Sequence, residues 1–138
     1  MNTFTFDELK LGQSISFKST VTRDDFESFK AHSHDINPLH NDEDYARSQG
    51  YPSRVAYGML SASYFSTLAG VYLPGKYALI HTVNLKFLKP VYEGDELTIT
   101  GEIVDLNDTF KFIELKAVIL NQHNTAVCKA QMQIGVLK

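Results

Sequence analysis

Seven consecutive residues, His34-Asp35-Ile36-Asn37-Pro38-Leu39-His40, hold most of the acid and base chemistry this chain has to offer. Pro38 fixes its own φ and pushes Asn37 towards extended geometry, so the segment is predicted to bend rather than to run on as helix. Asp35 and His40 would not stack on one helical face at that spacing, but a bend can bring both to one point and hold a water molecule between them. A carboxylate and an imidazole sharing a water make a hydration or hydrolysis centre, because one group accepts a proton while the other donates. The same spacing is also that of a plain Asx-Pro turn with a solvated histidine, and on spacing alone that is the commoner outcome.

Composition narrows the setting. The chain has 138 residues, 43% of them hydrophobic, which suits one compact domain over 1–138 burying roughly two-thirds of its unfolded surface. A formal charge of -3 and a pI near 5.9 give no electrostatic reason to expect nucleic acid or an anionic membrane as partner. No run approaches the ~20 apolar residues of a membrane span. The first eight residues carry acidic Asp7 and Glu8 where a signal peptide needs basic residues and an apolar core, so a cytoplasmic protein is expected. Cys128 is the single cysteine and falls in an alternating strand pattern, which suits a reduced thiol filling core space. His32, His34 and His40 lie close together but lack a recognised ligand signature, so no metal is expected.

The elements that must position the bend can be read from periodicity. Residues about 14 to 22 alternate in Ile15, Phe17 and Val21 and read as a first strand. Thr22 is placed to cap a helix over about 23 to 33, with Asp25 at its third position, and this helix delivers the chain into the bend. Asn41 or Asp42 can cap a second short helix carrying Glu43, Asp44, Tyr45 and Ala46, broken at Gly50-Tyr51-Pro52. The longest helical candidate runs from about Val55 to Ala69 and contains no charge after Arg54; a helix without a charged face is predicted to have protein on most sides.

Everything after Gly75 reads as antiparallel strands. Val83, Leu85 and Phe87 alternate with polar residues, as do Leu97, Ile99 and Ile103, and as do Cys128, Ala130, Met132 and Ile134. Turns are expected at Glu93-Gly94-Asp95, Asn107-Asp108 and Asn121 to Asn124. The run from Phe110 to Leu120 changes phase, which suggests a bulge there. A sheet with one apolar face must cover it, and the charge-poor helix is the candidate cover. The expected architecture is α+β, an antiparallel sheet of about five strands wrapped around a long central helix.

In order along the chain, Asp35-Ile36-Asn37-Pro38-Leu39-His40, Tyr45-Ala46, Val55-Ala56-Tyr57-Gly58-Met59-Leu60 and Phe87-Leu88-Lys89-Pro90-Val91-Tyr92-Glu93-Gly94-Asp95 resemble the MaoC-like dehydratases. That hot-dog-fold family includes (R)-specific enoyl-CoA hydratases. The resemblance implies reversible addition of water across a trans-2-enoyl thioester to give an (R)-3-hydroxyacyl thioester. It implies Asp35 and His40 as the pair that activates water and protonates the substrate α-carbon, and the Gly58 N–H as donor to the thioester oxygen. A preorganised donor of that kind is typically worth ~3 kcal/mol in the transition state. This role requires the helix to begin near Gly58; were Ser53 the cap, the N–H would already be used, and Gly58 would serve only close packing.

Asn37 is expected to shape the bend, and Met59, Leu60 and Phe87 to line an acyl tunnel or to belong to ordinary core. Two positions depart from the family pattern: His34 stands where glycine usually precedes the aspartate, and Tyr57 where histidine usually precedes the glycine. No cofactor is implied beyond the coenzyme A or acyl-carrier protein that forms part of the substrate. A homodimer, or an oligomer built from dimers, follows from the resemblance because hot-dog domains generally pair edge to edge. A thioesterase and a non-catalytic acyl-thioester binding protein are the competing functions, and fold alone does not separate them.

Overall fold

The computed structural model describes residues 1–138. Strand β1 (Ser14–Thr20) leads to helix α1 (Arg23–Ser33), the single turn α2 (Pro38–Asn41), the short helix α3 (Glu43–Ser48) and the central helix α4 (Gly58–Thr67). A π-helical segment, Leu68–Tyr72, extends α4 before four long strands follow: β2 (Ala78–Phe87), β3 (Glu96–Asn107), β4 (Phe112–Leu120) and β5 (Ala126–Val136).

All five strands form one antiparallel sheet in the order β1-β3-β4-β5-β2. Its inner face is apolar at every second position, with Leu97, Ile99, Ile103, Ile113, Leu115, Ile119, Met132 and Ile134 all fully buried. Against that face lie Leu60, Phe65, Leu68 and Ala69 of the helix and its extension, in one continuous core cluster. The helix approaches closely because β3 offers Gly101 beneath Leu68; a Cβ there would stand 2.7 Å from Leu68 Cδ2. Burying one such leucine stabilises the fold by roughly 1.5–3 kcal/mol.

Caps set the boundaries around the bend. Thr22 and Asp25 close a capping box on α1, with the Asp25 N–H donating to Thr22 Oγ1 and the Thr22 N–H to Asp25 Oδ2. Asp42 caps α3 by accepting from the Tyr45 N–H. The Gly94-Asp95 pair is a structural lock: Asp95 accepts from the Tyr92 N–H and from Gln122 Nε2, and its backbone pairs with Val21, joining the turn to the end of β1.

Three expectations from sequence change and one is refined. The central helix starts at Gly58 rather than Val55, because Val55 is held extended in a bridge to Tyr92 and Ala56 donates to Val91 O. It is also open along one stripe, Met59, Ser63 and Ser66, so uncharged serines are its solvent face while its other sides are covered. The Pro38 bend is itself a helical turn, since Pro is favoured at the first helical position. The phase change near Phe110 is not a bulge in β4. Phe110 belongs to the turn closed by Lys111 at φ 51°, β4 alternates without a break, and the irregular pairings lie between β3 and β4 near Val104 and between β4 and β5 near Val127.

Candidate active site

The bend is built by local hydrogen bonds. Helix α1 ends with His34 in the left-handed region (φ 59°, ψ 18°), its N–H bonded to Lys30 O, which turns the chain sharply into Asp35. The Asp35 carboxylate accepts from the Asn37 N–H at 3.0 Å, and Asn37 Oδ1 caps the next turn by accepting from the Leu39 N–H at 2.9 Å. Asn37 is thus a shaping residue, as its type suggested. The turn then presents His40 two residues after Pro38, with the imidazole directed back across the fold.

His40 Nδ1 lies 2.7 Å from the carbonyl oxygen of Val55. A carbonyl only accepts, so Nδ1 carries the proton, and in the neutral imidazole Nε2 keeps the basic lone pair. The extended segment that supplies this carbonyl is clamped by Arg54, which lies over the Phe26 ring at 5.2 Å and pairs with Glu93 at 3.5 Å.

Helix α4 starts immediately beyond. Tyr57 is its N-cap with no side-chain cap, and the Tyr57 carbonyl accepts from the Leu60 and Ser61 N–H groups. Gly58 is the first helical residue, so its N–H is one of the first-turn donors that have no acceptor within the helix, at the positive end of the dipole. The absence of a Cβ also matters, because one built at Gly58 would come within 3.2 Å of the Phe87 ring.

His40, Gly58 and Phe87 meet at a cleft of about 330 Å³, whose remaining wall includes Ser61, Lys89 and Cys128. The volume suits a small acyl group. Ser61 follows Gly58 by three residues and so shares its helical face; Cys128 is the direct cross-strand partner of Phe87. Ser61 is not singled out by the sequence, and Cys128 is read there only as a core-filling thiol. The helical spacing would have found Ser61 once the helix start was known, whereas Cys128 depends on the register of β2 with β5. Burial pushes the Cys128 thiol above its ordinary pKa.

Other expected site residues fall elsewhere. Leu60 is core and Met59 is 60% exposed; neither lines the cleft, because a helix starting at Gly58 turns the next two side chains away from the face shared by Gly58 and Ser61. Asp35 is exposed and stands outside the cleft wall of the single chain. His34 is exposed at the end of α1. Tyr57 is only 2% exposed, its ring 4.3 Å from that of His40 and its hydroxyl 3.0 Å from the Asp35 carbonyl oxygen. Asn41, read from the sequence only as an alternative to Asp42 for the helix cap, reaches Tyr57 Oη at 3.1 Å and Asn37 O at 2.9 Å. No three His, Cys, Asp or Glu side chains converge as a metal cluster would.

A five-stranded antiparallel sheet folded round one helix, with a histidine and a helix N-terminus sharing a cleft, defines a hot-dog protein. The model of the MaoC like domain matches residues 8–125, and the chain belongs to this family. The (R)-specific enoyl-CoA hydratase of Rhodospirillum rubrum is 39% identical over 111 residues, 80% of this chain and 77% of that one. The mitochondrial 3-hydroxyacyl-[acyl-carrier-protein] dehydratase of Arabidopsis thaliana is 31% identical, over 86% of this chain and 72% of that one. Among solved structures, the unliganded R-hydratase PhaJ1 from Pseudomonas aeruginosa superposes with a TM-score of 0.91 at 28% identity, covering 97% of this chain and 86% of that one.

Proposed function

We propose that this protein is a lyase that hydrates a trans-2-enoyl thioester to an (R)-3-hydroxyacyl thioester, and catalyses the reverse dehydration. The observation that carries the reading is the cleft in which His40, its proton fixed on Nδ1, stands with the opening N–H of α4.

The family gives each side chain its role, and the shared cleft supports those of His40 and Gly58. His40 Nε2 and the Asp35 carboxylate share the attacking water and take one of its protons as its oxygen bonds to C3 of the substrate. The π electrons of the C2–C3 bond move towards the thioester, leaving negative charge on the carbonyl oxygen. The Gly58 N–H donates to that oxygen, and because the charge is greatest in the transition state the donor lowers the barrier selectively. Delivery of a proton to C2 closes the cycle. Asn37 positions the bend, and His34 and Tyr57 support it. Phe87 forms the apolar wall for the acyl group, and Met59 is available to line it only if a second chain covers that surface. The reaction uses no cofactor other than the coenzyme A or acyl-carrier protein that carries the acyl group.

Strand β2 supports a homodimer. It pairs only with β5, so its outer edge is unpaired along ten residues, and Leu79, Ile80, Val83 and Phe87 are exposed. An open apolar edge of this length invites a second strand, and two-fold pairing through it would also enclose the exposed side of the cleft. A free buried thiol at Cys128 suits a reducing compartment such as the cytoplasm. No helix is long and apolar enough to cross a membrane.

The test is to incubate the protein with crotonyl-CoA and follow both the conjugated-enoyl absorbance and free thiol. Absorbance lost without thiol release is the expected result. Thiol release would instead indicate a thioesterase, and silence on a series of enoyl thioesters a binding protein.

A further inference from the structure

We infer that Tyr57 and Asn41 act as one positioning unit that couples the Asp35 turn to the N-terminus of α4; this rests on the hydratase reading above. Tyr57 touches all three elements of the proposed site. Its hydroxyl lies 3.0 Å from the Asp35 carbonyl oxygen, its ring packs 4.3 Å from His40, and its backbone is the N-cap that precedes Gly58.

The hydrogen-bond arithmetic fixes the direction of the link. A phenol has one proton, and the Asp35 carbonyl oxygen at 3.0 Å can only accept and is nearer than Asn41 Oδ1 at 3.3 Å, so Tyr57 donates to it. Tyr57 Oη then has lone pairs free, and Asn41 Nδ2 donates into one at 3.1 Å while its second proton reaches Asn37 O at 2.9 Å. The resulting chain, Asn41 to Tyr57 to Asp35, is buried at its centre, where successive hydrogen bonds polarise one another. Asn41 also ties the far end of α2 to its own N-cap residue, so the turn carrying Asp35, Asn37 and His40 is held at both ends.

Two further aromatic rings flank Tyr57, which is 2% exposed. Phe29 packs at 4.8 Å and Phe26 at 6.1 Å. The pairing answers the two departures from the family pattern together. His34 takes the left-handed conformation at a cost to its own backbone, and the Tyr57 hydroxyl holds the carbonyl of the next residue, Asp35. The aim of the carboxylate is therefore set from behind by a residue that touches no substrate.

Tyr57→Phe removes one oxygen and keeps the ring. With crotonyl-CoA, kcat is expected to fall roughly tenfold or more with KM within about twofold of wild type, since displaced catalytic groups cost turnover rather than binding. Asn41→Ala should reproduce the effect, and the double variant should be no slower than the slower single one. A second readout does not depend on activity. The Asn37 N–H is bonded to Asp35 Oδ1, so its hydrogen exchange, followed by NMR, should accelerate in Tyr57→Phe while amides of the β3–β4 ladder keep wild-type rates.

Wild-type kcat and unchanged Asn37 exchange in Tyr57→Phe would overturn the inference, as would multiplicative losses in the double variant. Exchange that accelerates uniformly along with a lowered Tm would show a merely structural tyrosine and would also overturn it. If wild type hydrates no enoyl thioester, the functional reading fails by itself, and the exchange experiment still decides whether Tyr57 aims Asp35.

Discussion

His34 occupies a left-handed position that glycine fills at little cost, and it makes no hydrogen bond through its ring. Replacing it should therefore stabilise the protein. His34→Gly is expected to gain about 0.5–1 kcal/mol, since the relief of strain exceeds the entropy that glycine adds to the unfolded chain. Thermal melts should show a Tm higher by about 3 °C, and an unchanged or lower Tm would mean that the imidazole is held by something stronger than the backbone penalty. Asp35→Asn and His40→Ala, by contrast, are expected to lower hydration by roughly 10²–10⁴-fold with the melting curve little changed; steady-state rates on crotonyl-CoA beside a melt check both halves. At this scale the residue types were informative where their partners are local. Asn37 caps two residues ahead and Thr22 three, and both roles follow from spacing. Tyr57 and Asn41 are 16 residues apart and meet only because α4 packs behind the bend, so no local pattern betrays them.

Among the elements, the start of α4 decides whether Gly58 has any chemistry to do. The periodicity of apolar residues runs unbroken back to Val55 and hides the boundary, which is set instead by the pairing of Val55 and Ala56 with the segment around Val91 and Tyr92. The boundary makes a clean experiment available. Tyr57 is extended (φ -55°, ψ 130°), a geometry that suits the residue before a proline, and proline is favoured at the first helical position. Gly58→Pro thus removes the N–H and leaves the helix, while Gly58→Ala keeps the N–H and adds a Cβ against Phe87. Turnover of crotonyl-CoA should fall ~10²-fold or more in the proline variant and far less in the alanine variant; equal losses would mean that crowding against Phe87 is the cause. Strand β5 carries a pH-dependent contribution of definite sign. Burial raises the Cys128 pKa above its ordinary 9.0, so above about pH 9 the unfolded chain gives up its thiol proton before the folded one does, and stability falls as pH rises. Urea melts at pH 8 and pH 10 should show wild type losing more stability than Cys128→Ala over that interval.

For the whole molecule, the alternation in the long strands and the charge-poor helix were enough to indicate a five-stranded sheet wrapped on one helix. The strand order β1-β3-β4-β5-β2 was not legible, because register depends on distant pairings such as that of Ser14 with Glu102. That order leaves β2 at the edge, beside the cleft, with Phe87 and Val83 half-exposed. Light scattering should give the mass of two 15.5 kDa chains for wild type and of one for Val83→Lys, whose charge opposes pairing along that edge. The monomeric variant should also lose most of its turnover, since the open side of the cleft would then face water.

The reaction itself remains the most direct test. Mixing wild-type protein with crotonyl-CoA should consume the enoyl absorbance without releasing thiol, and the product should be (R)-3-hydroxybutyryl-CoA, with His40→Ala slower by at least about 10²-fold. Thiol release, or the same rate of hydration in wild type and His40→Ala, would contradict the account.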